Sequence, residues 1–79
     1  MFAMVDPMSP TPIYVQVADL IAGRIEAGDL EPLKPIPSED RLTAELGVSR
    51  GTVRRAVREL RDRGLVFTLP QRGTYVAER

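Results

Sequence analysis

A mainly helical α+β fold, three short helices followed by a two-stranded β-hairpin, is predicted by three features of the sequence. Apolar residues recur at helical spacing in three separate stretches. Each stretch stops at a glycine (Gly28, Gly47, Gly64), and the second and third open on serine. After Gly64 come two β-branched and aromatic runs separated by a proline–glycine turn.

Residues 1–11 carry Pro7, Pro10 and three methionines with no periodic pattern, and are expected to form a flexible or loosely docked arm. The domain proper is expected over residues 12–77, with 78–79 as a tail. Its first helix should run from Pro12, a good first-turn residue, to about Ala27, with Thr11 as cap. Ile13, Val17, Leu20, Ile21 and Ile25 make the apolar stripe, and Tyr14 is expected at the core edge. Gly23 inside this helix costs about 1 kcal/mol relative to alanine, which predicts that another element packs closely against it.

Pro32, Pro35 and Pro37 exclude helix from residues 29–37 and leave a loop with a short extended piece around Lys34–Ile36. Ser38 then caps a short second helix, with Glu39 and Asp40 at the positive end of its dipole and Leu42 and Leu46 facing inward. Gly47 ends it, Val48 fills the turn, and Ser49 caps the third helix, residues 49–63. There Val53, Ala56, Val57 and Leu60 fall at i, i+3, i+4 and i+7. Gly51, Arg54, Arg55 and Arg58 project away from that stripe, with Arg50 and Arg61 on its flank. Helix, glycine turn, helix is the helix-turn-helix layout. Leu65–Leu69 reads as a strand, Pro70–Gly73 as a turn and Thr74–Val76 as a second strand. A hairpin directly after a helix-turn-helix is the winged-helix arrangement.

Composition narrows the function. Seventy-nine residues make one domain with a modest core. With no cysteine and no histidine, the chain lacks thiolate and imidazole ligands and the usual general base, so no metal, cofactor or enzyme activity is expected. No segment reads as a signal peptide or approaches the length of a membrane span, so a cytoplasmic, nucleoid-associated protein is expected. The net charge of zero hides a segregation. Residues 1–40 hold two basic side chains against seven acidic ones, whereas residues 41–79 hold nine arginines against four acids. A chain divided in this way presents one face to a polyanion.

An arginine-rich front on a short helix suits the major groove of DNA, because the guanidinium fork matches guanine O6 and N7 and also pairs with phosphate. The rival reading is a solvated face, with Arg55–Glu59 and Arg58–Asp62 paired at i, i+4. The rival function is a winged helix that binds protein and no nucleic acid.

The residues resemble the GntR-type bacterial transcription regulators. Ile13-Tyr14, Gln16-Val17, Ile21, Ile25 and Gly28 match the family's first helix. Pro37-Ser38-Glu39, Leu42, Leu46-Gly47-Val48-Ser49-Arg50, Thr52-Val53-Arg54, Ala56, Leu60 and Gly64-Leu65-Val66 match its helix-turn-helix, and Arg72-Gly73-Thr74-Tyr75-Val76 its wing. The resemblance implies a third helix in the major groove and a wing tip, residues 70–73, directed at the minor groove. It implies Arg50 and Arg54 as base or phosphate readers, Ser49 and Thr52 on backbone phosphate, and a wing contact from Arg72 and Gly73. Ser38, Arg41, Gly51, Arg55 and Arg58 complete the expected DNA-facing set.

Three departures qualify it. The family usually has arginine directly after Pro-Ser-Glu; here Asp40 holds that place and Arg41 follows, so that contact is shifted or lost. Gln71 stands where the wing usually has glycine, which puts the wing conformation in question. The loop before Pro37 lacks its usual glycine, a matter of loop shape. The resemblance further implies transcription regulation, with repression the expected mode, on an inverted-repeat operator in double-stranded DNA. Such regulators carry an effector-binding, dimerising domain after the winged helix. This chain is therefore either a short stand-alone protein or the first domain of a longer one. On its own it is expected as a monomer or weak homodimer that pairs on DNA.

Overall fold

The computed structural model describes residues 5–78. Its elements are α1 (Ile13–Glu26), α2 (Glu39–Leu46), α3 (Arg50–Asp62), β1 (Val66–Leu69) and β2 (Gly73–Val76). β1 and β2 form an antiparallel hairpin with Val66 opposite Val76 and Leu69 opposite Gly73. This is a winged helix-turn-helix, and each boundary has a local cause. Ser38 and Ser49 accept hydrogen bonds from the Arg41 and Thr52 N–H groups, 3.1 Å each, satisfying donors that the first turns of α2 and α3 leave free. Gly47 ends α2 in the left-handed region at φ 65°, a conformation that glycine adopts without a Cβ penalty.

The core lies where α1 crosses α3, the most extensive helix contact. Val17, Ile21 and Ile25 of α1 meet Val53, Ala56 and Leu60 of α3, and Leu42, Val66 and Val76 close the remaining sides. The stripe of α1 differs from the expected one. Ala18 and Ala22 are buried while Leu20 is only half-buried, so the inward face is rotated toward two small residues.

Two expectations about α1 are corrected. Thr11 does not cap it. Pro12 is extended (φ −54°, ψ 144°), so the helix starts at Ile13, with no side-chain cap at Pro12. The Val15 N–H bonds the Pro12 carbonyl instead. The Gln16 amide ties down the preceding segment, donating to the Thr11 and Asp6 carbonyls at 2.8 and 2.9 Å and accepting from the Asp6 N–H at 2.7 Å. Val5 packs against the core behind this clamp. The rest of the expected arm, residues 1–4, and Arg79 of the expected tail lie outside the described residues.

Gly23, second, is not a close-packing site. It is exposed, and a Cβ there would meet nothing within 4 Å. Gly23→Ala is expected to stabilise the domain by about 0.5–1 kcal/mol through helix propensity alone. A higher urea midpoint at unchanged slope checks this, and a lower one would mean a neighbour that the fold does not show.

The proline-rich loop contributes to the sheet. The Leu33 and Ile36 N–H groups donate to the Val76 and Thr74 carbonyls, and the Val76 N–H donates to the Lys34 carbonyl, all within 2.9–3.0 Å. Pro35 forms a bridge with Tyr75. The extended piece expected around Lys34–Ile36 thus covers the free edge of β2, where a proline's missing donor does least harm. It leads directly into Ser38, so the hairpin and the start of α2 are held in one frame.

At the tip, the Arg72 N–H bonds the Leu69 carbonyl at 3.1 Å, and Gln71 sits at φ 63°. Proline second and a positive φ third is the type II pattern, which favours glycine at the third place. Gln71 adopts it nonetheless. The Tyr75 hydroxyl, whose ring stacks on Phe67, donates to the Arg72 carbonyl at 3.2 Å and helps to hold the tip.

Candidate nucleic-acid interface

α3 owes its place to Val53, Ala56 and Leu60, which are fully buried and leave the opposite face outside. Gly51, Arg54, Arg55 and Arg58 are all exposed on that face, as the spacing predicts, and Arg50 is exposed at the N-terminus. Ser49 and Thr52 meet there through their hydroxyls at 3.0 Å. Both serve the cap as well as facing out. Gly51 keeps this end low, since an added Cβ would approach only Ser49 Oγ, at 3.9 Å.

The arginines are not equivalent. Glu39, in the first turn of α2, reaches both Arg50 and Arg54. Its Oε2 accepts from Arg54 Nε at 3.0 Å, and its Oε1 lies 3.7 Å from Arg50 Nη1. Asp40 pairs with Arg50 Nη2. The Arg54 guanidinium is raised above its ordinary pKa by its hydrogen bond to Glu39 and by that carboxylate's charge. Because only Nε is used among the described residues, both terminal nitrogens of Arg54 are left to present a fork. Arg50 has its terminal nitrogens turned to carboxylates. These are exposed pairs, which hold a side chain in place without contributing much stability and rearrange easily.

Neither intrahelical pair weighed for Arg55 and Arg58 is formed among the described residues. Arg55 lies over the Tyr14 ring, 4.1 Å from its centroid, a cation–π contact that joins α3 to the start of α1. Glu59 pairs with Arg63 at 2.9 Å, and Arg63 also reaches Asp19 of α1 at 2.8 Å. Those two hydrogen bonds, Glu59 first, raise the Arg63 pKa.

Arg54 and Arg58 line a groove of about 580 Å³ between α3, the start of α2 and the hairpin, together with Ser38, Arg72 and Gly73. Arg61, Thr68 and Thr74 also line it, and the expected set did not include them. Their signal was faint: one flank position on α3 and two threonines facing each other across the hairpin. Arg41 is placed elsewhere. Its Nε donates to Glu45 at 2.8 Å, and it lines a separate surface with Arg24 and Leu30. The hydrogen bond from Arg41 is the main cause that holds the Glu45 carboxyl below its ordinary pKa; desolvation comes next and opposes it, and Arg24 adds to the lowering. In the place after Pro-Ser-Glu, Asp40 brings a carboxylate to Arg50.

Residues 13–76 match the family described as bacterial regulatory proteins, gntR family. The chain belongs to the GntR family. It is 45% identical over 78 residues to the histidine utilization repressor of Klebsiella aerogenes, covering 99% of this chain and 32% of that protein. It is 39% identical over 74 residues to the transcriptional repressor NagR of Bacillus subtilis, covering 94% of this chain and 30% of that one. This GntR-family chain thus spans under a third of the length of these relatives. Among solved structures it is similar to the DNA-binding domain of AraR, crystallised in complex with operator ORE1. The TM-score is 0.86 at 33% identity, over 98% of this chain and 100% of that one. Among the described residues no helix is long and apolar enough to cross a membrane, and no group of side chains could hold a metal ion.

Proposed function

We propose that this GntR-family chain is the DNA-reading domain of a bacterial transcription regulator of the repressor type, acting on an inverted-repeat operator. α3 enters the major groove with Arg54 as the principal base reader and Arg50 beside it, while the wing tip at residues 70–73 turns toward the minor groove. Ser49, Thr52 and the free N–H groups at the α3 N-terminus lie against backbone phosphate. The observation that carries this reading is the exposed α3 face, where Glu39 steadies the Arg54 Nε and no described residue takes its terminal nitrogens. The likeness to an operator-bound domain over nearly the whole chain supports it. The repressor mode is supported by the names of the relatives.

Arg54→Ala tests it. On the specific duplex the affinity is expected to fall roughly fivefold to 150-fold, with preference relaxed at one base position. Fluorescence anisotropy on the specific site and on random duplex separates the outcomes. Equal losses on both would make Arg54 a phosphate contact only. An unmodified chain that is not retained on either duplex at low salt would point instead to a protein-interaction module.

A further inference from the structure

Of the arginines that line the groove between α3 and the wing, Arg54 is neutralised by Glu39, but Arg58, Arg61 and Arg72 have no carboxylate partner among the described residues. The free positive charge of the groove therefore lies toward the second half of α3 and the wing. Arg61 is also oriented. Its Nη1 donates to Thr68 Oγ1 at 2.7 Å, and Thr68 Oγ1 is hydrogen-bonded to Thr74 Oγ1 at 2.9 Å. Two hydroxyls share one hydrogen in that bond, so whichever donates, one hydroxyl hydrogen remains for an outside acceptor. Arg61 uses one of its five donors in this way and keeps four. Donors in surplus, fixed by a strand pair and left without an acceptor among the described residues, are matched by an anion bearing several acceptor oxygens.

We propose that Arg61, held by Thr68 and Thr74, is a seat for one backbone phosphate of the bound duplex, on the strand that passes between α3 and the wing. The inference rests on the DNA-binding reading above and extends it to residues outside the expected set. The seat is sequence-blind, since a guanidinium that meets phosphate reads no base. It keeps α3 and the wing in register with one DNA strand, because its three side chains come from both elements.

Arg61→Ala and Thr68→Val test it, on the specific duplex and on random duplex, across a range of salt. Both residues are exposed, so the melting temperature by circular dichroism is expected to stay close to that of the unmodified chain. Arg61→Ala should flatten the slope of log K against log salt by about 0.9, the share of one phosphate. At 0.1 M salt that slope corresponds to roughly an eightfold loss, equal on the two duplexes. Thr68→Val should give a smaller, equally sequence-blind loss with the slope kept, since the charge remains. An unmodified chain that binds with a steep salt slope, together with Arg61→Ala binding just as well, would overturn the seat and leave the DNA reading standing. A loss confined to the specific duplex would make Arg61 a base reader and also overturn it. No salt-dependent binding by the unmodified chain would remove both. Displacement of DNA by inorganic phosphate beyond that of chloride at equal ionic strength, lost in Arg61→Ala, would assign the seat to a free anion instead.

Discussion

Leu60→Ala is expected to remove about 2–5 kcal/mol of folding stability, the loss of buried methyl groups plus the cavity left behind. Leu60 is fully buried on the side of α3 that meets α1, and its carbonyl accepts a hydrogen bond from the Leu65 N–H just before the hairpin. A chain of 79 residues is held by about 4–12 kcal/mol in all, so this one change removes much of it. A large fall in the urea midpoint with little change in slope is the expected reading, and DNA binding should fall with the folded fraction. Leu69→Ala is the control, because Leu69 is exposed at the end of β1; a shift within about 0.5 kcal/mol is expected there. Comparable losses at both positions would mean that the core is not centred on the α1–α3 crossing.

The helices that meet there were legible in the sequence because they are made of local signals. The apolar spacing of Val53, Ala56 and Leu60 and the serine and glycine at each end of α2 mark elements whose causes lie within a few residues. The exposed arginine face of α3 follows from the same spacing. What the sequence did not disclose depends on contacts between elements. Asp40 was expected at the positive end of the α2 dipole and in place of an arginine, yet the α2–α3 turn also brings its carboxylate onto Arg50, ten residues on. Glu59 is four residues from both Arg55 and Arg63; it goes to Arg63, while Arg55 takes the Tyr14 ring, 41 residues away in sequence. Thr68 and Thr74 looked like ordinary strand residues until the register placed them side by side beneath Arg61. Periodicity shows which face a residue is on, and only the packed fold shows which partner it has there.

Joining two copies of the chain by a flexible linker is expected to raise affinity for an inverted repeat by about 10²–10⁴ over the single chain, through effective concentration alone. Among the described residues the large exposed apolar side chains are Met8, Leu33 and Leu69, too few for the roughly 1,200–2,000 Å² that a stable protein interface buries. A single copy is therefore expected to sediment as a monomer and to hold a half-site weakly. Half-sites one helical turn apart are about 34–36 Å from centre to centre. The domain's longest extent is 34 Å, so two copies fit side by side on one face of the duplex. A Gly/Ser linker of about 40 residues has a root-mean-square span near that separation. Inserting half a helical turn between the half-sites turns them to opposite faces and should remove most of the gain. A tandem chain that binds a single half-site as tightly as the full repeat would sink the two-site proposal. So would a single chain that already sediments as a dimer at micromolar concentration.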